Sequence, residues 1–156
     1  MMQVMRHWLA TRKLPIHRLM LGRLYDGQDC SAAKALELIG ERWSLLILRD
    51  AMFRGYTRFS QFQHSLGVAP NILAKRLDGF VANGIMKRSA AGEYVLTDMG
   101  LETKGVVVAL TLWGDRWLRE GPVAFVDRRS GQPVDLNFTA GASPVPPSDV
   151  AARRRD

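Results

Sequence analysis

Asn71, Lys75 and Arg76 stand close together in one short segment, PNILAKR, that opens with Pro70. Asparagine can bond adenine bidentately, and lysine or arginine can bond guanine, through the base edges that line the DNA major groove. On a helix, positions four apart share a face, so Asn71 and Lys75 point the same way and Arg76 lies at the boundary. Upstream, Thr57, Arg58 and Gln61 offer polar and cationic groups suited to phosphate oxygens, and Lys87 and Arg88 do so downstream. A solvated helix face would account for any one of these residues as well as a DNA contact does. It accounts poorly for Asn71, Lys75 and Arg76 together.

The elements needed to hold these side chains flank them. A helix over residues 58–65, with Thr57 as its cap, turns Phe59, Phe62 and Leu66 inward. The turn is Gly67-Val68-Ala69, and Pro70 suits the first position of a second helix, where a missing N–H costs nothing. That helix runs to Val81 and buries Ile72, Leu73, Leu77, Phe80 and Val81, and Asn83-Gly84 stops it. Two short helices joined by a tight turn form a helix-turn-helix, whose second helix enters the major groove. Ile85-Met86 and Tyr94–Leu96 flank the small turn Ala91-Gly92, which predicts a two-stranded wing.

Further helices frame this module. Residues 29–39 read as a helix capped by Asp29 or Ser31, with Ala32, Ala35, Leu36 and Ile39 at helical spacing. Residues 41–53 read as a second, apolar nearly all round through Trp43, Leu45, Leu46, Ile47 and Leu48, and hence central and buried. Thr97 caps a long helix over residues 98–119 whose stripe includes Val106, Val107, Leu110, Trp113, Trp117 and Leu118. Trp113 and Trp117, four apart, suit a core or a dimer interface better than an effector pocket. A further hairpin pairs residues 123–126 with 134–138. The expected order is a basic, poorly ordered leader (1–22), a winged helix-turn-helix with its dimerisation helices (23–120), a C-terminal hairpin (121–138) and a disordered tail (139–156). The fold class is mainly α with a small β-hairpin wing.

Composition narrows the function. The net charge is +7, and it is unevenly placed. Residues 1–20 carry four basic residues and no acids, and residues 51–90 carry six basic against one acidic. The flanking stretches 21–50 and 91–120 are slightly acidic. A basic module between near-neutral supports is what phosphate binding requires. The leader could serve as a membrane-surface or DNA-backbone arm, though a poorly ordered extension accounts for it better. Cys30 is the single cysteine, so no disulfide within the chain and no zinc knuckle can form, which points to a reducing compartment, the cytoplasm. His7, His17 and His64 are scattered, and no metal site is expected. No apolar run reaches the ~18–20 residues of a spanning helix, so no membrane role is expected beyond that arm. There is no Gly-rich phosphate loop, metal-ligand cluster or evident Ser-His-Asp set, so neither an enzyme nor a cofactor is expected.

Several spaced elements together resemble one family. These are Cys30 before the first helix, Gly40-Glu41-Arg42-Trp43, the run LLILRD, Arg58-Phe59 with Phe62, and the junction Tyr94-Val95-Leu96-Thr97-Asp98-Met99-Gly100. From about Asp29 to Trp117 the chain resembles the HxlR group of bacterial winged-helix regulators, relatives of the MarR fold. The resemblance implies a homodimer, domain-swapped or helix-packed, joined through the first and last helices of the domain, with Leu36, Leu110, Trp113 and Trp117 at the interface. It implies double-stranded DNA with a two-fold symmetric operator as partner, and repression of a neighbouring gene. It also implies a small-molecule or oxidant effector, because some HxlR-like proteins sense oxidants, electrophiles or quinones at a cysteine placed like Cys30. Ala69 replaces the Ser that usually precedes the Pro, Asn71 replaces a basic residue, and the wing turn Ser89–Gly92 is short and uncharged. The short wing and the missing Ser lend some weight to an alternative, a winged helix used for protein–protein assembly without specific DNA binding. The charge of residues 51–90 weighs against it.

Overall fold

The structure is a computed structural model that describes Tyr25 and residues 27–153. The leader of residues 1–22, expected to be poorly ordered, lies outside the described residues. The chain divides into two compact units at Lys104–Gly105, earlier than the division expected after residue 120.

In the first unit, α1 (Ser31–Ile39), α2 (Ser44–Phe53), α3 (Phe59–Leu66) and α4 (Pro70–Ala82) precede a hairpin of β1 (Met86–Arg88) and β2 (Tyr94–Leu96), then α5 (Asp98–Glu102). Ile47 and Leu48 of α2, Phe62 of α3, Val68, and Leu73, Leu77 and Phe80 of α4 form one buried cluster with Ile85, Met86 and Tyr94. Each large side chain so buried contributes about 1.5–3 kcal/mol relative to exposure. The helix-turn-helix and the wing therefore share a single core.

Several local details differ from expectation. Cys30 itself caps α1: its backbone is extended, and its Sγ accepts from the Ala33 N–H at 3.3 Å. The inner side of α1 carries Ala33, Leu38 and Ile39, whereas Ala32, Ala35 and Leu36 are exposed. Alanines fit either face, so the spacing did not fix the helix rotation. The second helix starts at Ser44, not residue 41, because Trp43 takes a left-handed φ of 77°. That conformation costs a non-glycine residue roughly 1–2 kcal/mol. Nor is α2 buried all round, since Leu46 and Phe53 are exposed. Arg58, not Thr57, occupies the N-cap of α3, and Gln61 Oε1 accepts from the Arg58 and Thr57 N–H groups at 2.9 and 3.0 Å.

Gly67 closes α3 at φ +60°, the left-handed geometry glycine adopts without a Cβ penalty. In the wing, Met86 pairs with Leu96, Lys87 with Val95 and Arg88 with Tyr94. Thr97 Oγ1 donates to the Gly84 carbonyl at 2.6 Å and accepts from the Gly100 N–H at 3.2 Å. A Cβ on Gly100 would meet the Ile85 carbonyl oxygen at 2.2 Å, so only glycine lets α5 approach the strand. The long helix expected over residues 98–119 is broken at Thr103, whose Oγ1 takes the Gly100 carbonyl.

The break leads into α6 (Lys104–Trp117), most of which belongs to the second unit. Leu110, Trp113 and Trp117 lie on it three and four positions apart, and all are exposed. The hairpin expected over residues 123–138 is reduced to one bridge, Val126 with Pro133. Pro133 has no N–H with which to extend a ladder. In the intervening loop, the Arg129 N–H and Ser130 hydroxyl hold the Asp127 carboxyl below its ordinary range. The residues from Thr139, expected to be disordered, instead continue a hairpin of β3 (Phe138–Ala140) and β4 (Ser143–Val145) and a 3-10 turn, Pro147–Asp149. The Pro- and Ser-rich composition masked a turn at Gly141, where φ is +65°.

Candidate nucleic-acid interface

Burial of Leu73, Leu77 and Phe80 fixes the rotation of α4. The opposite side then carries Asn71, Lys75 and Asp78, all exposed. The Asn71 and Lys75 side chains make no hydrogen bond or ion pair with any described residue, so their donors stay available. They sit in the first half of the helix, the part that meets base edges in helix-turn-helix proteins.

Arg76 differs from its neighbour. Its Nη2 lies 2.7 Å from Glu41 Oε2, and the side chain is only 12% exposed. The structure thus pairs Arg76, expected to read bases, with an acid that ties α4 to the α1–α2 connection, and does not leave it free on the outer side. Helical spacing put Arg76 near the boundary of the buried face, and the acid across from it lies 35 residues away in the chain.

The outer candidates divide in the same way. Lys87 is exposed and its side chain has no partner among the described residues. Arg58 points outward, but its Nε donates to Glu93 Oε1 at 3.0 Å, linking the start of α3 to the wing turn. The Thr57 carbonyl accepts from the Tyr94 N–H at 2.8 Å, which anchors β2 to the same point. Gln61 spends its carbonyl oxygen on the α3 cap and keeps its amide NH₂ as a donor. Arg88 folds onto the wing, 3.8 Å from the Tyr94 ring centroid, and donates to the Gly92 carbonyl at 2.7 Å. Asp78 lies 4.0 Å from the Arg88 guanidinium, so an acid on α4 competes for that cation.

Two residues with a bearing on the surface escaped the sequence reading. Asp50 is fully buried and accepts from Arg49 Nε and Nη2 at 2.9 and 2.8 Å and from Ser65 Oγ at 2.6 Å. It fastens α2 to the end of α3, one step before the turn. An acid within an apolar helix was the available signal. Helical spacing predicts Ile72 among the buried residues, but it is 37% exposed.

Cys30 is an exposed free thiol. Leu36 of the first unit is exposed, as are Leu110, Trp113 and Trp117 of the second. Among the described residues no three His, Cys, Asp or Glu residues could hold a metal ion. No described helix is long and apolar enough to cross a membrane.

A helix-turn-helix on a shared core with a hairpin wing, carrying unpaired polar and cationic side chains on its second helix, defines a winged-helix DNA-binding protein. Residues 38–122 match the family model described as HxlR-like helix-turn-helix, and the chain belongs to that family of DNA-binding transcriptional regulators. It is 40% identical over 110 residues to an uncharacterized HTH-type transcriptional regulator of Mycobacterium tuberculosis, covering 65% of this chain and 68% of that one. The structure is similar to PA1607, described as a candidate transcription factor, with a TM-score of 0.71 and 43% identity, covering 81% of this chain and 96% of that one. It is also similar to quinone-bound YodB from B. subtilis, with a TM-score of 0.50 and 29% identity, covering 56% and 99% of the two chains.

Proposed function

We propose that this chain is a sequence-specific repressor that binds a two-fold symmetric operator as a homodimer in the cytoplasm. The observation that carries this reading is the pair Asn71 and Lys75, without a partner among the described residues, on the outer side of a helix whose inner side is locked in a core. One α4 from each copy enters the major groove, where Asn71 and Lys75 contact bases. Lys87, Arg58 and the Gln61 amide contact phosphates, and Arg76, Arg88 and Thr57 hold these elements in register. Two copies meet through apolar side chains that include Leu36, Leu110, Trp113 and Trp117. The two α4 helices then address half-sites about one DNA turn, roughly 34 Å, apart. A gel shift against the intergenic DNA beside its own gene, in rising salt, tests this. The expected result is preference for that DNA over random duplex, lost steeply as salt rises. Equal binding to random duplex at low salt would sink the reading.

We further propose that Cys30 makes binding responsive to oxidants or electrophiles. Its exposed thiol at a helix start supports this, as does the likeness to YodB, a protein solved with a quinone bound. With one cysteine per chain, any disulfide joins two copies or a copy and a small thiol. Treatment with a quinone should change the operator affinity of the wild type but not of Cys30→Ser. The same change in both proteins would remove Cys30 from the mechanism.

A further inference from the structure

We propose that Ile72 reads the 5-methyl group of a thymine, so that each operator half-site requires a thymine at the position this side chain faces. The inference rests on the DNA-reading assignment of α4. The motivating observation is a contrast within one helix. Leu73, Leu77 and Phe80 are 0–2% exposed, whereas Ile72 is 37% exposed. The core accepts the first three and leaves Ile72 on the flank. It stands three positions before Lys75, which lies four after Asn71, so Lys75 links the two into one patch at the start of the helix; Asn71 and Lys75 are exposed and have no partner among the described residues.

The chemistry of that patch selects the ligand. An aliphatic side chain has no donor or acceptor with which to distinguish base edges. The one apolar feature a base pair presents in the major groove is the thymine methyl. Isoleucine is branched at Cβ and therefore stiff, so it presents its methyl groups with little rotamer freedom to lose on contact. Duplex DNA, rather than an apolar protein surface, is the occupant that the surroundings favour. Lys75 and Lys87 are cations on the same module without a partner among the described residues, and residues 51–90 carry six basic residues against one acidic.

The test is a double-substitution cycle on intact protein. Wild type and Ile72→Ala are titrated in gel shifts against the operator and against operators in which deoxyuridine replaces thymidine, one symmetric pair at a time. Uracil removes only the methyl. At one symmetric position the replacement should weaken the wild type about three- to tenfold. Ile72→Ala should show that loss already on the natural operator and be indifferent to uracil there. Because Ile72 lies outside the core, far-UV circular dichroism should confirm that the variant folds. Normal binding by Ile72→Ala, or losses that simply add at every position, would overturn the proposal and leave the regulator assignment intact. Absence of any operator preference in the wild type would instead remove the DNA-reading assignment, and this inference with it.

Discussion

The first unit and helix α6 treat large apolar side chains in opposite ways. In the first unit, Phe62, Leu73, Leu77 and Phe80 converge on one buried cluster, and the cations lie at its edge or outside. On α6, Leu110, Trp113 and Trp117 face outward, and Trp117 is 67% exposed. Indole side chains carry large apolar areas, and an exposed stripe of them marks a surface that associates with something. The first unit thus gathers most of its large apolar side chains into one core, whereas α6 leaves its largest ones, Trp113 and Trp117, exposed.

The sharpest way to break this contrast is to damage the core. Leu77→Ala removes a fully buried side chain between α4 and the rest of the cluster. It should cost about 2–5 kcal/mol, read as a lower denaturant midpoint, with DNA binding lost in proportion to the folded fraction. A loss of under about 0.5 kcal/mol would mean that the cluster is not the structural centre of the unit. The complementary change is Trp113→Ala with Trp117→Ala. If α6 joins two copies, sedimentation should show the dimer dissociating at least tenfold more readily, since buried interface tryptophans are typically worth ~2 kcal/mol or more. Operator affinity should fall at low protein concentration and recover at high concentration. An unchanged dissociation constant would place the dimer contact elsewhere.

The same contrast explains what could be read from the residues in order. Phe62, Leu73, Leu77 and Phe80 are large and spaced at three to four, so the helix-turn-helix and its inner face, Ile72 apart, were legible. The rotation of α1 was not, because Ala32, Ala33 and Ala35 fit either side. The start of α2 depended on a left-handed tryptophan, Trp43, a conformation that local composition does not announce. The wing was legible in its strands and turn, and even Thr97 as a helix cap was clear. The pairing of Arg58, Arg76 and Arg88 was hidden, because Glu93, Glu41 and Asp78 lie well away from them along the chain.

Lys75 and Arg76 put that last point in its most testable form. They are adjacent cations on one helix, both expected from the sequence to meet bases, yet Lys75 has no partner among the described residues and Arg76 is held by Glu41. Arg76→Ala leaves the half-buried Glu41 carboxylate without its partner and loosens α4 from the α1–α2 connection. It should lower stability by about 1–2 kcal/mol, between the values for exposed and buried pairs, while the salt dependence of DNA binding keeps its slope. Lys75→Ala should do the reverse. Its stability should stay within roughly 0.5 kcal/mol of wild type. If Lys75 meets a base, affinity should fall with relaxed specificity at that base pair. If it meets a phosphate, the slope of log affinity against log salt should drop by about 0.9 and sequence preference should persist. Should Arg76→Ala flatten the salt slope and Lys75→Ala leave it unchanged with specificity intact, the two residues would have exchanged roles. The Glu41 ion pair would then have to open when DNA binds.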